Sequence, residues 1–186
     1  QVESDIYKFD YNSFDISALL SVIVNETNVK IQNKDIRLSA NTAELLKQNC
    51  YSDKNVIKGV ISNLLDNAIN CIETGSITIN VSNPLPEYLL LKGFEVNNNV
   101  NEKSYLMVEI NCKGIDTSQY GSNDVFDPYV QVEKNSKKYL LQSLLLGSTK
   151  RYLNKLKGDI WINSQYENQA SFCFIIPVEK SVLEAK

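Results

Sequence analysis

Three asparagines, Asn63, Asn67 and Asn70, are the residues whose type and spacing first suggest a binding site. They lie within residues 55–72, where apolar side chains recur at three- and four-residue steps and predict an amphipathic helix. On that helix the three amides stand in one row along an edge. Because asparagine costs roughly 0.5 kcal/mol per residue relative to alanine in a helix, the row indicates that something polar faces it. A half-buried helix with polar neighbours is the plainer interpretation.

The composition predicts one globular domain and excludes several classes of partner. The chain has 186 residues, and its 19 basic and 22 acidic side chains give a net charge of −3, which argues against binding to nucleic acid. No long apolar run or charged-then-apolar leader is present, so we expect neither membrane contact nor a signal peptide. Four scattered cysteines without any histidine argue against a zinc site and favour a reducing, cytoplasmic location.

Helix-like and strand-like patterns alternate before the central helix. Ser13 or Asp15 can cap the first helix, and Ser52 or Asp53 can cap the central one. The predicted segments are a linker or edge strand over residues 1–15, a helix over residues 16–31, and strands over residues 35–40 and 45–51.

The segment after the central helix combines a strand with an irregular insertion. We expect the helix to end near Gly75 in a left-handed cap, before an alternating strand over residues 76–81. Residues 84–103 carry two prolines and a run of asparagines, and we interpret them as a surface insertion. Its three consecutive leucines, residues 89–91, dock either on the domain itself or on a partner.

The residues from Asn63 to Asn70 resemble the asparagine box, N-x-x-x-N-A-x-K, of sensor histidine kinase catalytic domains, which are GHKL ATPases. Residues 14–20 look like the opening phrase of these domains. Residues 151–164 are similar to a helix-to-strand turn of hybrid and ethylene-receptor-type kinases. The resemblance implies a two-layer α/β sandwich, with a mixed sheet of about five strands under three helices. An unrelated α/β protein whose boxes match by accident is the alternative.

The resemblance covers residues 16–180 and leaves residues 181–186 as a tail. In the family the two asparagines of the box hold the Mg²⁺ ion of Mg-ATP, so Asn63 and Asn67 would be the metal ligands if ATP binds. The final lysine of the box, which neutralises phosphate charge, is replaced here by Asn70.

Residues 105–111 predict a strand that leads into the counterpart of the first glycine box, D-x-G-x-G-I. In ungapped register Ile110 takes the place of the aspartate that binds adenine, and Cys112 takes the place of the first glycine. Gly114 and Ile115 match the end of the box. An isoleucine leaves the adenine amino group unpaired, at a cost of about 1–3 kcal/mol. A one-residue deletion would bring in Asn111 instead, but it would swap the two faces of the strand.

Two further boxes of the family are altered or ambiguous. Residues 124–132 resemble the phenylalanine box, which makes Phe126 a candidate nucleotide contact; an aromatic pair that closes the edge of the core is the alternative. Residues 143–146, SLLL, stand where the family has the second glycine box, G-x-G-L. We expect a helix to begin early and absorb the former lid, with Leu144 or Leu145 filling the vacated pocket.

Together these changes predict a kinase scaffold that has lost its nucleotide. We expect weak or absent ATP–Mg²⁺ binding, no catalytic residue and no cofactor. The module would act through contacts with dimerisation helices, a receiver domain or another kinase in two-component signalling. The alternative is an active domain that uses Mg-ATP in a rearranged pocket to phosphorylate a histidine outside this chain, which has none. The location would be cytoplasmic, including the cytosolic part of a membrane receptor.

Overall fold

The fold is an alternation of helices and strands, seen in a computed structural model that describes residues 8–45, 49–94, 96, 104–115, 137–166 and 169–178. The elements are β1 (Tyr11–Asp15), α1 (Ile16–Ile31), β2 (Asp35–Glu44), β3 (Asn49–Asp53), α2 (Lys54–Cys71), β4 (Ile72–Ser82), α3 (Pro86–Leu91), β5 (Ser104–Ile115), α4 (Lys137–Lys155), β6 (Asp159–Tyr166) and β7 (Gln169–Val178). Within these residues no helix is both long and apolar enough to span a membrane.

A mixed five-stranded sheet has the order β2-β4-β5-β7-β6. β2 runs parallel to β4, whereas the other neighbours are antiparallel. The helices α1, α2 and α4 pack on one face, so the predicted two-layer α/β sandwich is confirmed. β1 and β3 form a separate antiparallel pair, which ties residues 11–15 of the predicted linker or edge to the domain.

The core lies between this sheet and the three helices, and strand alternation determines which residues enter it. The side chains that face the helices on the two central strands are fully buried, as the period-two pattern predicts. They are Ile77, Ile79 and Val81 on β4, and Leu106, Val108 and Ile110 on β5.

Aspartates begin both N-terminal helices. The side chains of Asp15 and Asp53 each accept hydrogen bonds from the backbone amides two and three residues ahead, at 2.7–3.1 Å. These bonds satisfy amides that a helix start leaves unpaired, and the aspartates rather than Ser13 and Ser52 provide the caps. Asp53 also accepts a hydrogen bond from the backbone amide of Asp10 at 2.9 Å, so the cap of α2 fixes the chain before β1.

The predicted glycine cap of the central helix is wrong. α2 ends at Cys71, and Ile72 is already extended, so the chain passes directly into β4. Gly75 lies inside β4, where the pairing with β5 is irregular between Ile72 and Ser76. The sequence pattern missed this because a strand can begin without any intervening turn.

Two glycines allow β4 and β5 to approach closely at this irregularity. A Cβ atom on Gly75 would lie 2.0 Å from the carbonyl oxygen of Lys113, and one on Gly114 would lie 2.2 Å from that of Thr74. Gly114 also has a φ of 89°, which side-chain-bearing residues rarely adopt. Both glycines are therefore required by backbone packing.

The insertion forms the short helix α3 and packs on the sheet face opposite to the long helices. Leu89 is buried there, whereas Leu90 and Leu91 are exposed. Docking on the domain is thus observed for one of the three consecutive leucines.

α4 begins at Lys137 and includes residues 143–146, as predicted for an early helix start, whereas the side chains of Leu144 and Leu145, which we expected to fill the pocket, lie outside the described residues. After it, Lys157 takes a left-handed conformation with φ of 60°. The Gly158 amide bonds to the Leu153 carbonyl at 2.8 Å, and the Lys157 amide bonds to the Asn154 carbonyl at 3.0 Å, which closes a Schellman motif. A Cβ on Gly158 would meet the carbonyl oxygen of Ile175 at 2.3 Å.

Replacing Lys157 with glycine should stabilise the domain by about 0.5 kcal/mol, because glycine adopts the left-handed conformation without strain. Part of the gain is offset because a glycine makes the unfolded chain more flexible. Urea unfolding checks the change. The matched control, Lys155→Gly, lies within α4 and should destabilise by up to about 1 kcal/mol. A loss of stability in Lys157→Gly would contradict the assigned strain.

Glycines in different settings should respond oppositely to alanine. Gly59, inside α2, has open space where a Cβ would stand, so Gly59→Ala should stabilise by about 0.5–1 kcal/mol. Gly75→Ala should destabilise by roughly 2–3 kcal/mol, because its methyl group collides with backbone. Both changes are measured by urea unfolding, and equal responses would refute the close approach of β4 and β5.

Candidate functional site

The asparagine row lies on α2, but its three members have different surroundings. The Asn67 side chain is only 3% exposed, and its amide nitrogen donates to the Asn63 carbonyl oxygen at 2.8 Å. The Asn63 amide nitrogen lies 3.4 Å from the hydroxyl oxygen of Thr149 on α4. Asn70 is exposed at the end of the helix. The fold thus brings Asn63 and Asn67 against other protein groups and leaves Asn70 in solvent.

Thr149 is the site residue that the sequence interpretation missed. It is buried on α4, at helical spacing from the buried Leu146 and Leu153. A hydroxyl residue inside an apolar stripe was the available signal, because such a group needs a hydrogen-bonding partner from a neighbouring element. Asn63 supplies one.

The position that the resemblance assigns to the adenine-binding aspartate is buried and apolar. Ile110 is fully buried there, as are its strand neighbours Leu106 and Val108. Asn111 faces the opposite side of the sheet, where its side-chain oxygen accepts a hydrogen bond from the Ser171 hydroxyl. Asn111 therefore does not lie on the face covered by α1, α2 and α4, where the shifted register would need it.

The other residues that the resemblance assigns to the first glycine box also take part in the packing or strand pairing of the domain. Cys112 lies in the core, and burial together with the nearby Cys71 raises the pKa of the Cys112 thiol to about 12. Gly114 faces the backbone of β4 at close range. The backbone of Ile115 pairs with β4, whereas its side chain and the whole of Phe126 lie outside the described residues.

These residues do not fit the Mg-ATP complex that the family implies. Asn63 and Asn67 retain amide oxygens of the kind that Mg²⁺ prefers. However, Ile110 has no hydrogen-bond acceptor for an adenine amino group, and Asn70 has no positive charge for phosphate. In the described part of the chain, no group of three or more histidine, cysteine, aspartate or glutamate residues could hold a metal ion.

A cleft between α2 and α4 lies beside the first half of α2, away from Ile110. It has a volume of about 160 Å³ and is lined by Asn55, Val56, Gly59, Val60, Asn63, Thr149 and Tyr152. Pockets for drug-sized ligands occupy about 300–1,000 Å³, so the part of this cleft that the described residues line is smaller than such a pocket.

Comparison with known proteins identifies the scaffold. The model of the family "Histidine kinase-, DNA gyrase B-, and HSP90-like ATPase" matches residues 52–180. The autoinducer 2 sensor kinase/phosphatase LuxQ of Vibrio vulnificus is 24% identical over 185 residues, which are 99% of this chain and 20% of LuxQ. The chain therefore spans about a fifth of the length of this relative.

Solved structures share the fold at low sequence identity. Full-length ShkA in complex with AMPPNP matches with a TM-score of 0.71 and 15% identity, over 94% of this chain and 32% of ShkA. The catalytic domain of histidine kinase ThkA matches with a TM-score of 0.65 and 20% identity, over 91% of this chain and 98% of that domain. ThkA in complex with the response regulator protein TrrA matches with a TM-score of 0.60 and 20% identity, over 90% of this chain and 41% of that one.

The fold, the order of the elements and the family match over residues 52–180 agree with one another. This chain belongs to the family of histidine kinase-, DNA gyrase B- and HSP90-like ATPases.

Proposed function

We propose that this chain is the catalytic-type domain of a sensor or hybrid histidine kinase in two-component signalling, that its nucleotide binding is lost or weak, and that it acts through protein contacts. The match to LuxQ, a sensor kinase/phosphatase, over 99% of this chain supports the kinase assignment. The observation that carries the loss of nucleotide binding is the complete burial of Ile110 at the place of the adenine acceptor.

Ile110 acts against adenine in two ways. Its side chain offers no hydrogen bond, so a buried adenine amino group would remain unpaired at a cost of about 1–3 kcal/mol. That cost corresponds to roughly a tenfold to hundredfold loss of affinity. In addition, Ile110 packs in the core between the sheet and the long helices, so the space at this position is occupied by protein.

The phosphate side of the site has changed in a complementary way. Residues 143–146 lie more than one turn inside α4, where backbone amides bond to carbonyls of the same helix. Amides committed in this way cannot wrap an anion as a glycine-rich loop does. Asn70 supplies no positive charge to replace them. These two losses act on phosphate and are independent of the loss at adenine.

Protein contacts are the function that such a domain retains. The candidate partners are the dimerisation helices of a kinase, a receiver domain or another kinase. ThkA offers a precedent for assembly, since its structure contains the response regulator protein TrrA. Because this chain has no histidine, any phosphorylated histidine in such an assembly belongs to another segment or another protein.

Thermal unfolding with Mg-ATP tests the proposal. We expect a dissociation constant for Mg-ATP above about 10 mM. Binding that weak, at about 5 mM Mg-ATP, stabilises a protein by less than about 0.3 kcal/mol, so the melting temperature should rise by less than about 1 °C. Non-hydrolysable Mg-AMPPNP should give the same result. Asn67→Ala, which removes a family-type Mg²⁺ ligand, should show the same lack of response.

A large shift would instead support an active domain with a rearranged pocket. A dissociation constant near 50 μM corresponds to about 2.7 kcal/mol at the same ligand concentration, which raises the melting temperature by about 5–10 °C. If that shift disappears in Asn67→Ala, the asparagine box binds nucleotide and the proposed loss is wrong.

Ile110→Asp tests whether the adenine position is filled. An aspartate there would place an unpaired carboxylate in the core, so the free energy of unfolding at pH 7 should fall by at least about 3 kcal/mol. The control Ile110→Val removes one buried methylene and should cost only about 1 kcal/mol. Urea titration measures both variants. If Ile110→Asp lowers the free energy of unfolding by no more than Ile110→Val does, water reaches the site and a pocket is open.

A further inference from the structure

The insertion helix α3 covers a second apolar cluster, on the sheet face that the long helices leave free. Its fully or nearly buried members are Leu89, Tyr105, Trp161, Cys173 and Ile175. This cluster shares the strands β5, β6 and β7 with the main core, but its side chains point to the opposite face. The cover over the cluster is therefore separate from the packing that holds the domain together.

The described contacts that hold α3 on the sheet include the Tyr88 ring, whose centroid lies 6.4 Å from that of Trp161. Leu89 is its one buried residue. The ammonium nitrogen of Lys92, just after the helix, lies 4.0 Å from the centroid of the Trp161 ring. The Phe94 ring meets the Tyr105 ring edge to face with centroids 5.3 Å apart, and the Asn83 amide donates to the Tyr105 carbonyl oxygen at 3.0 Å.

Three leucines of the insertion are exposed to solvent. Leu85, Leu90 and Leu91 are 70%, 61% and 81% exposed. A helix of six residues is too short to be stable by itself, so α3 depends on its contacts with the sheet. Its docking is expected to be among the weaker associations in the domain, because the cluster beneath it is much smaller than the helix-covered core and must offset the entropy of ordering the segment.

Docking also leaves a polar group unpaired. The Trp161 side chain is 6% exposed, and its indole N–H has no hydrogen-bonding partner among the described residues. Burying an unpaired donor costs free energy, and that cost is recovered when water can reach it. Lifting α3 would expose Trp161 to water, so this unpaired group favours the open state.

We propose that α3 is a latch, which opens and closes on the sheet while the helix-covered core stays folded. Opening uncovers an apolar strip along β5, β6 and β7 that contains Tyr105, Trp161, Cys173 and Ile175. The latch gives the domain a surface with two states, and it operates on the face opposite to Ile110 and Asn67. It is therefore independent of nucleotide binding.

Two cysteines provide a matched pair of probes in the unmodified chain. Cys173 lies under α3, and Cys112 lies in the main core on the neighbouring strand; both are at most 1% exposed. Burial is the main cause that raises the pKa of each thiol to about 12, so the thiolate form that iodoacetamide attacks is disfavoured at both positions in the closed state. A difference in their labelling rates reports which segment opens.

The first experiment alkylates the native chain with iodoacetamide and follows each cysteine-containing peptide by mass spectrometry. If α3 opens as a unit, Cys173 should react at least about tenfold faster than Cys112, because it does not require global unfolding. Equal rates for the two cysteines would overturn the proposal, since Cys173 would then be uncovered only when the whole domain unfolds.

A substitution in the latch distinguishes local from global opening. Leu89→Ala removes the buried contact, so it should raise the rate at Cys173 by about tenfold or more and leave the rate at Cys112 unchanged. Leu90→Ala, at the exposed neighbouring position, is the control and should change neither rate. An equal acceleration of both cysteines by Leu89→Ala would contradict an independent latch.

Tryptophan fluorescence gives a second readout without labelling. Trp161 is the single tryptophan of the chain, so the tryptophan emission reports whether α3 covers this ring. In Lys92→Ala, which removes the contact over the ring, the emission should shift to the red at urea concentrations below the main transition seen by circular dichroism. Coincident transitions in Lys92→Ala and in the native chain would count against the latch.

Discussion

The burial of α2 is the constraint on which the rest of the structure depends. Its residues Ile57, Ile61, Leu64, Leu65 and Ala68 are fully buried, and they contact both the sheet and the helices on either side. Because side chains four positions apart stack on a helix, this apolar stripe also determines where Asn63 and Asn67 stand. The asparagine row is therefore held in its orientation by packing, and its presence alone does not require a ligand.

The same distinction separates the family residues that persist from those that have changed. Gly114 and Gly158 persist where a Cβ would collide with a carbonyl oxygen, so the backbone requires glycine whether or not a nucleotide binds. Ile110, Asn70 and residues 143–146 stand at positions to which the resemblance assigns contacts with adenine or phosphate. Backbone packing accounts for the two glycines, whereas it places no such demand on these other positions, and the proposed loss of nucleotide binding depends on them.

The resemblance predicted the two layers, and local sequence patterns predicted most of the strands and offered Asp15 and Asp53 each as one of two candidate caps, because strands and caps depend on residues close together in the chain. It misassigned Gly75, whose reason for being glycine is the carbonyl of Lys113, 38 residues later. It also missed the contact between Asn63 and Thr149, which joins two helices across 86 positions. Periodicity identifies which face of an element is apolar, whereas the backbone or side chain that meets that face depends on the tertiary fold.

The two faces of the sheet can therefore be assigned different physical roles. The face covered by α1, α2 and α4 carries a large, continuous core, which includes Ile110 and Cys112. The face covered by α3 carries a small cluster with an unpaired indole N–H and exposed leucines beside it. Because successive side chains of a strand point to opposite faces of the sheet, the same strand contributes different residues to each face. Burial of Ile110 and Cys112 on the first face thus adds to the stability of the domain, and the proposed opening of α3 on the second face would leave that burial intact.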